Sequence, residues 1–269
     1  RGGSKPTDPG GCHHKLKVVE RLWPVMSEER PQQAASGSVF AEPLPEGRPP
    51  RQVLENLWLF APNRDTLGGS AWWLETPEWE GCAGLLIDCP GLNQANLAFL
   101  RERGPGRLVL TSRDGHGRTR RFQEELKWPV SLQEQEAYLL PTVDGLEPFS
   151  FEQSLAPGYS LRWTPGPTPG SAVLLADRAF NGSPLLFCGR LLSPVASGEA
   201  RPLRTRRSFH WIRWLRSLEA LGDWLPRSTP VALASGAGLG ALRGEALIAD
   251  VQQQLQALDW AALEGQEPV

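Results

Sequence analysis

From residue 57 onward, apolar residues fall in short runs bounded by glycine, proline and polar turns. Leu57-Trp58-Leu59-Phe60, Ser70-Ala71-Trp72-Trp73-Leu74 and Ala83-Gly84-Leu85-Leu86-Ile87-Asp88 are apolar almost throughout. Runs of that length predict strands, the third of them buried. Asn93 is placed to cap a helix in which Leu97, Phe99 and Leu100 share a face up to Gly104, a helical spacing with a start and a stop signal. Arg107-Leu108-Val109-Leu110-Thr111 is the next strand. A helix then carries Phe122 and Leu126, and Pro129-Val130-Ser131-Leu132 is a short strand. Strand alternating with helix favours a sheet covered by helices.

The second half repeats this with more strands, over 159–163, 171–176 and 185–188. Ser208 is then expected to cap a helix with Trp211, Trp214, Leu215, Leu218 and Leu221 along one face and Gly222 as its stop. Val231-Ala232-Leu233-Ala234 is a last small strand, and a final helix is expected to bury Leu247, Ile248, Val251, Leu255 and Leu258. Two halves of this kind predict an α/β fold, a four-layer α-β-β-α sandwich.

Residues 1–50 lack such periodicity. They are rich in Gly, Pro, Ser, Gln and charge, and Pro43, Pro45, Pro49 and Pro50 close the stretch. A flexible N-terminal arm or linker is expected over 1–50, leading into one folded domain over 51–269; Val18, Val19, Leu22 and Trp23 have the spacing of one short helix inside the arm. The 269 residues, 40% hydrophobic, suffice for one sizeable core. A formal net charge of −2 gives no strong pull on nucleic acid or an anionic membrane, and no apolar run approaches the roughly 20 residues that span a bilayer. The four cysteines, Cys12, Cys82, Cys89 and Cys188, show no C-x-x-C spacing. Reduced thiols in an intracellular compartment, cytoplasm or plastid stroma, are expected. The chain opens on Arg1, which reads as a fragment or processed product, with room ahead of it for a targeting segment or a further domain.

Four motifs occur in order. Leu85-Leu86-Ile87-Asp88 ends a strand, and Leu110-Thr111-Ser112-Arg113-Asp114-Gly115-His116-Gly117 follows the next one. Trp163-Thr164-Pro165-Gly166-Pro167-Thr168-Pro169-Gly170-Ser171 and Leu186-Phe187-Cys188-Gly189-Arg190 come later. Together they resemble L-x-I-D, T-H-x-H-x-D-H, T-P-G-H-T-P-G-S and L-F-T-G-D of the metallo-β-lactamase superfamily, over about residues 56–260. The likeness is greatest to a cyanobacterial and plastid-type branch that sometimes follows a ferredoxin-like domain. The resemblance implies the four-layer sandwich and a hydrolytic centre of one or two divalent metals, usually Zn or Fe, whose chemistry needs imidazoles and a bridging carboxylate.

Position by position, that centre is altered. The first His of T-H-x-H-x-D-H falls on Ser112, the second on Asp114, the Asp on His116 and the last His on Gly117. The His of the T-P-G-H loop is Pro167, the bridging Asp is Arg190, and the late His falls near Ala237. A guanidinium where a carboxylate would bridge two dications repels cations and keeps its proton. It is expected to occupy the cavity as a fixed positive charge, paired with Asp114 or Asp88, and no catalytic metal or other cofactor is expected.

The resemblance therefore implies a catalytically degenerate protein, a binding or interaction scaffold whose cleft is floored by Ser112, Asp114, His116, Pro167 and Arg190. Its partner would be an anionic small molecule or a protein, with nucleic acid and membrane disfavoured. Asp88 is expected to brace the loop over 111–117. The alternative is a metal-dependent hydrolase with one Zn or Fe in a rearranged site drawn from Asp88, Asp114, His116 and Cys188. Asp114 and His116 read otherwise as a hydrogen-bonded loop pair or an acid–base pair. Cys12-His13-His14 reads as part of a low-complexity tract, His210 as a packing residue at a helix start, and Ser112 lacks the G-x-S-x-G surroundings of a nucleophile. The arginines from Arg201 to Arg216 read as a solvated surface or as a grip for phosphates, of RNA or of a small ligand.

Overall fold

The computed structural model describes residues 43–269, apart from Asn181 and the side chains of Glu78 and Phe180. The arm up to residue 42, with Cys12-His13-His14 and the short helix expected near residue 20, lies outside the described residues.

Seven strands form the first sheet in chain order: β1 (Arg51–Leu54), β2 (Leu57–Leu59), β3 (Trp72–Trp79), β4 (Cys82–Ile87), β5 (Arg107–Val109), β6 (Val130–Gln133) and β7 (Leu146–Phe149). Pairing is antiparallel from β1 to β4 and parallel from β4 to β7. Parallel neighbours need a long crossover, and α1 (Gln94–Glu102) and α2 (Thr119–Leu126) supply the first two. Asn93 caps α1 as its position predicts, its Oδ1 accepting the Asn96 N–H at 2.8 Å. Residues 44–46 lie along the same helix end, where the carbonyls of Pro45 and Glu46 accept the N–H groups of Gln94 and Ala95, donors that a helix cannot satisfy internally.

The second half contributes β8 (Glu152–Ala156), β9 (Tyr159–Trp163), β10 (Ala172–Phe180) and β11 (Ser183–Phe187), a small hairpin β12 (Ser193–Ala196) and β13 (Glu199–Arg201), then α3 (Trp211–Trp224), β14 (Ala232–Ala234), α4 (Val251–Gln256) and α5 (Trp260–Glu264). The second sheet runs β14-β11-β10-β9-β8, with β14 parallel to β11.

Strand alternation sorts the apolar residues into three layers of contact. Leu57, Trp72, Leu74, Leu85 and Ile87 of the first sheet face Leu161, Leu174, Leu185 and Phe187 of the second. Their neighbours Trp58, Trp73 and Leu86 point the other way, onto Leu97 and Leu100 of α1 and Phe122 of α2. On the far side, Val173, Leu186 and Leu233 meet Trp214, Leu218 and Leu221 of α3 and Val251 of α4. The result is the expected four-layer α-β-β-α sandwich. Each fully buried side chain of this kind contributes about 1.5–3 kcal/mol, so all three layers hold the sandwich together.

Two helix boundaries differ from expectation. Ser208 does not cap α3, because its hydroxyl accepts the Thr205 N–H in a preceding turn, and Phe209 and His210 donate their N–H groups to Pro167 and Gly166. His210 is the cap, its Nδ1 accepting from Arg213 at 3.2 Å, and α3 passes through Gly222, which packs against Leu255. The final helix is two short ones. Ile248 is drawn into a two-way backbone bridge with Leu233, so the helix starts only after Asp250, whose carboxylate caps it. At the chain's end, the Val269 N–H donates to the Arg204 carbonyl at 3.0 Å, and the Arg204 guanidinium donates to the carbonyl of Gln266. Among the described residues no helix is long and apolar enough to cross a membrane.

Candidate functional site

The loops after β4, β5, β11 and β14 and the β9–β10 turn meet at one edge of the sandwich. Backbone bonds join them into a continuous rim: Ala172 N–H to Thr111 O, Gly236 N–H to Gly189 O and Ser70 N–H to Gly236 O, all at 2.7–3.0 Å.

Asp88 follows β4 in the left-handed conformation, at φ 58°. It is buried, and both carboxylate oxygens are engaged by one residue: Thr111 donates its N–H to Oδ1 at 2.8 Å and its hydroxyl to Oδ2 at 2.7 Å. Burial pushes its carboxyl up to about 6, against the lowering effect of these two bonds. A Cβ at residue 115 would lie 2.1 Å from Asp88 Oδ1, so the close approach of loop to carboxylate requires Gly115. A second buried carboxylate, Glu136, escaped the sequence reading. Its Oε2 accepts the Arg113 N–H at 2.5 Å and its Oε1 the Gly170 N–H at 3.0 Å. It thereby joins the 111–117 loop to the β9–β10 turn. Nothing in the acidic run Glu134-Gln135-Glu136 marks it as the residue that turns inward.

Arg190 follows β11 and reaches across the rim. Its Nη2 donates to the carbonyls of Thr66 at 2.8 Å and Leu67 at 3.2 Å, and its Nε stands 3.8 Å from Asp114 Oδ2. Of the two acidic partners expected, Asp114 is the one it faces. The guanidinium lines a cleft of about 280 Å³ together with Asp114, Pro167, Leu67, Arg207 and Trp214. Leu67 and Trp214 were not anticipated, because they come from the β2–β3 loop and the inner face of α3; Arg207 belongs to the arginine run expected as a solvated surface or a grip for phosphates.

Three of the altered ligand positions, Asp114, Pro167 and Arg190, thus share the cleft. Ser112 and His116 do not line it. Ser112 has an extended backbone and is buried ahead of a single 3-10 turn (Arg113–Gly115). His116 closes that turn, and its Nε2 is buried without a hydrogen-bond partner. Burial, with a smaller contribution from Arg113, pushes its imidazole down to about 4, so it is neutral near pH 7. Gly117 packs against Cys89 and Thr66. Ala237 is buried, its carbonyl accepting from Ser70.

These residues do not fit a metal ion. Asp88 has both oxygens committed to Thr111, Asp114 faces a guanidinium, and the only acceptor Pro167 offers, its carbonyl, receives the Phe209 N–H. Cys188 is buried, its thiol pushed up to about 12 by burial and directed at the Leu192 carbonyl, away from the cleft-lining residues. The alternative set of Asp88, Asp114, His116 and Cys188 is not brought together: among the described residues no three of His, Cys, Asp and Glu are grouped so as to hold an ion.

Tryptophan does much of the positioning on the second half's side. Trp163 Nε1 donates to the Pro169 carbonyl at 2.8 Å, Trp214 Nε1 to Leu191 at 2.9 Å and Trp72 Nε1 to Ser235 at 3.1 Å. Ser217 of α3 adds a bond to the Pro165 carbonyl at 2.7 Å. At Gly166 a Cβ would fall 2.3 Å from that of Trp214, so the turn lies directly on the helix.

No protein-family model matches the chain, and no curated protein matches it. Solved structures do. A metallo-beta-lactamase from Pontibacter korlensis aligns with a TM-score of 0.56 at 17% identity, over 81% of this chain and 99% of its own. A B3 metallo-beta-lactamase with an active-site glutamic acid gives 0.52 at 19% identity, over 78% and 87%. An archaeal metallo-beta-lactamase superfamily protein from Sulfolobus tokodaii gives 0.50 at 17% identity, over 80% and 89%. At these identities the likeness shows the fold: the chain has the metallo-β-lactamase fold that its four motifs implied.

Proposed function

We propose that this chain is a catalytically degenerate metallo-β-lactamase-fold protein whose cleft binds an anionic small molecule or an acidic partner segment without a catalytic metal. The observation that carries this reading is Arg190. It supplies a permanent cation where the motif alignment puts the bridging Asp, and it is held there by the carbonyls of Thr66 and Leu67. Arg207 adds a second guanidinium to the same cleft, so two cations face the single carboxylate of Asp114. That balance favours an anion and disfavours a dication. The loops that a metal would order in a hydrolase are joined here by Asp88, Glu136 and the indoles.

Metal analysis of purified, dialysed protein is the direct test. Zinc, iron and manganese should each be well below one equivalent, and Arg190→Asp combined with Pro167→His should raise metal uptake. One equivalent of metal surviving dialysis would overturn the reading. A metal-dependent hydrolase with one Zn or Fe is the second reading, supported by the unpaired, neutral Nε2 of His116. Ester or phosphodiester hydrolysis lost in His116→Ala, with the fold intact, would establish it instead.

A further inference from the structure

We infer that a second groove, on the other side of the β9–β10 turn from the cleft, binds a nucleotide, with the base on Phe151 and the phosphate on Arg213 and Arg216. The groove lies between the edge of the second sheet and α3, has a volume of about 300 Å³, and is lined by Phe151, Arg162, Thr164, Arg213 and Arg216 among others. It is independent of the cleft reading: Trp214 of α3 lines the cleft, whereas Arg213 and Arg216 line the groove.

Five observations point to this ligand chemistry. Phe151 is an aromatic ring left 55% exposed. The Arg162 guanidinium lies 5.1 Å from its centroid and 5.4 Å from that of Trp224, so the phenyl ring is backed by a cation and free to stack. Glu152, the acid nearest Arg162 at 3.7 Å, accepts the Trp224 indole N–H and does not line the groove. Arg213 and Arg216 are exposed and three residues apart on α3, a spacing that sets both side chains on one face. No described carboxylate stands within ion-pair distance of either, so their charges reinforce each other and favour an anion. Thr164, which lines the groove, is 2% exposed and its buried hydroxyl has no hydrogen-bond partner.

An exposed aromatic face beside paired guanidiniums recognises a planar base that carries phosphate. The volume suits one nucleotide unit, at the lower end of ligand cavities. The same unit can be free or part of a strand, and a chain of net charge −2 favours the free form.

Calorimetric titration at low salt with AMP, adenosine, inorganic phosphate and an oligoadenylate tests this. AMP should bind saturably, with adenosine and phosphate each weaker by roughly tenfold or more. Phe151→Ala should weaken AMP about tenfold and Phe151→Tyr restore it. Arg213→Ala with Arg216→Ala should weaken AMP by at least about tenfold and leave adenosine unchanged. All these positions are on the surface, and thermal melting confirms that each variant is folded. An oligoadenylate that binds no tighter than AMP identifies the free nucleotide, whereas tighter, steeply salt-dependent binding assigns the same contacts to a strand. The proposal is overturned if neither AMP nor the oligoadenylate binds, if the groove variants bind AMP unchanged, or if Arg190→Ala removes binding while the groove variants keep it, which would place the ligand in the cleft.

Discussion

The two sides of the cleft rim are held by different chemistry. On the first sheet's side, Asp88, Glu136 and the Asp114–Arg190 pair do the holding, and His116 is buried at the end of the same loop as a neutral imidazole. On the second sheet's side, the backbone carbonyls of Pro169, Leu191, Pro165 and Ser235 accept from the indoles of Trp163 and Trp214, the hydroxyl of Ser217 and the indole of Trp72, which reaches across from the first sheet. Indole and hydroxyl donors do not titrate in the ordinary pH range, whereas buried carboxyl and imidazole groups do. The pH sensitivity of the rim is therefore concentrated on the first side, at Asp88 and His116. Three of the described tryptophans thus supply both a flat apolar body and one N–H for a rim carbonyl.

The largest effect should come from the indole side. Trp214→Ala removes a buried aromatic and the bond to the Leu191 carbonyl, at a cost of about 3–5 kcal/mol. Trp214→Phe, which loses the N–H and keeps most of the packing, should cost about 1–2 kcal/mol. Denaturant unfolding should give the same losses at pH 5 and at pH 8; a loss that changes with pH would break the contrast between the two sides.

The acidic side should show its character in pH dependence. Asp88, pushed up to about 6, keeps a proton in the folded chain that the unfolded chain has released above about pH 4. Its contribution is most favourable below pH 4 and fades as pH rises to about 6. His116 works the other way. Pushed down to about 4, it refuses a proton that the unfolded chain accepts below about pH 6.5, so stability falls as pH drops through that interval. Each effect is roughly 3 kcal/mol over its window, and the two oppose each other between pH 4 and 6. Asp88→Asn keeps an acceptor for the Thr111 N–H, suits the left-handed backbone and removes one of the two effects. Its stability should fall by roughly 3 kcal/mol between pH 6.5 and pH 4 relative to the native chain. Parallel curves for variant and native protein would show that Asp88 does not titrate as described.

Arg190→Ala should have the smallest effect on stability, about 1 kcal/mol or less. The guanidinium is a quarter exposed and its carboxylate partner stands at 3.8 Å. A much larger loss, read from the unfolding midpoint, would make Arg190 a structural post instead of a charge kept for a ligand.

What the sequence disclosed follows how local each signal is. The strands ending at Ile87 and Val109, and α1 with its Asn93 cap, are fixed by contiguous apolar runs and a single capping residue, and they lie where those signals put them. Strands β7 and β8 were missed because Leu146-Glu147-Pro148-Phe149 and Glu152-Gln153-Ser154-Leu155-Ala156 are sheet-edge segments with one polar face, and Pro148 masks the first of them. The last helix was overextended because Leu247 and Ile248 fit a helical spacing equally well; the pairing of Ile248 with β14 is a tertiary fact. At the site, motif register was enough to bring Asp114, Pro167 and Arg190 to one cleft. It was not enough for Ser112 and His116, whose direction is set by the 3-10 turn at Arg113–Gly115. Glu136 and Trp214 were illegible as site residues because their roles depend on loops brought near them by the fold.

The bond from the Val269 amide to the Arg204 carbonyl has a practical corollary. Arg204 belongs to the 202–208 segment, which forms the outer wall of the cleft through Leu203, Thr205, Arg207 and Ser208. Any polypeptide continued past Val269, natural or appended for purification, leaves the molecule beside that wall and can shade the opening.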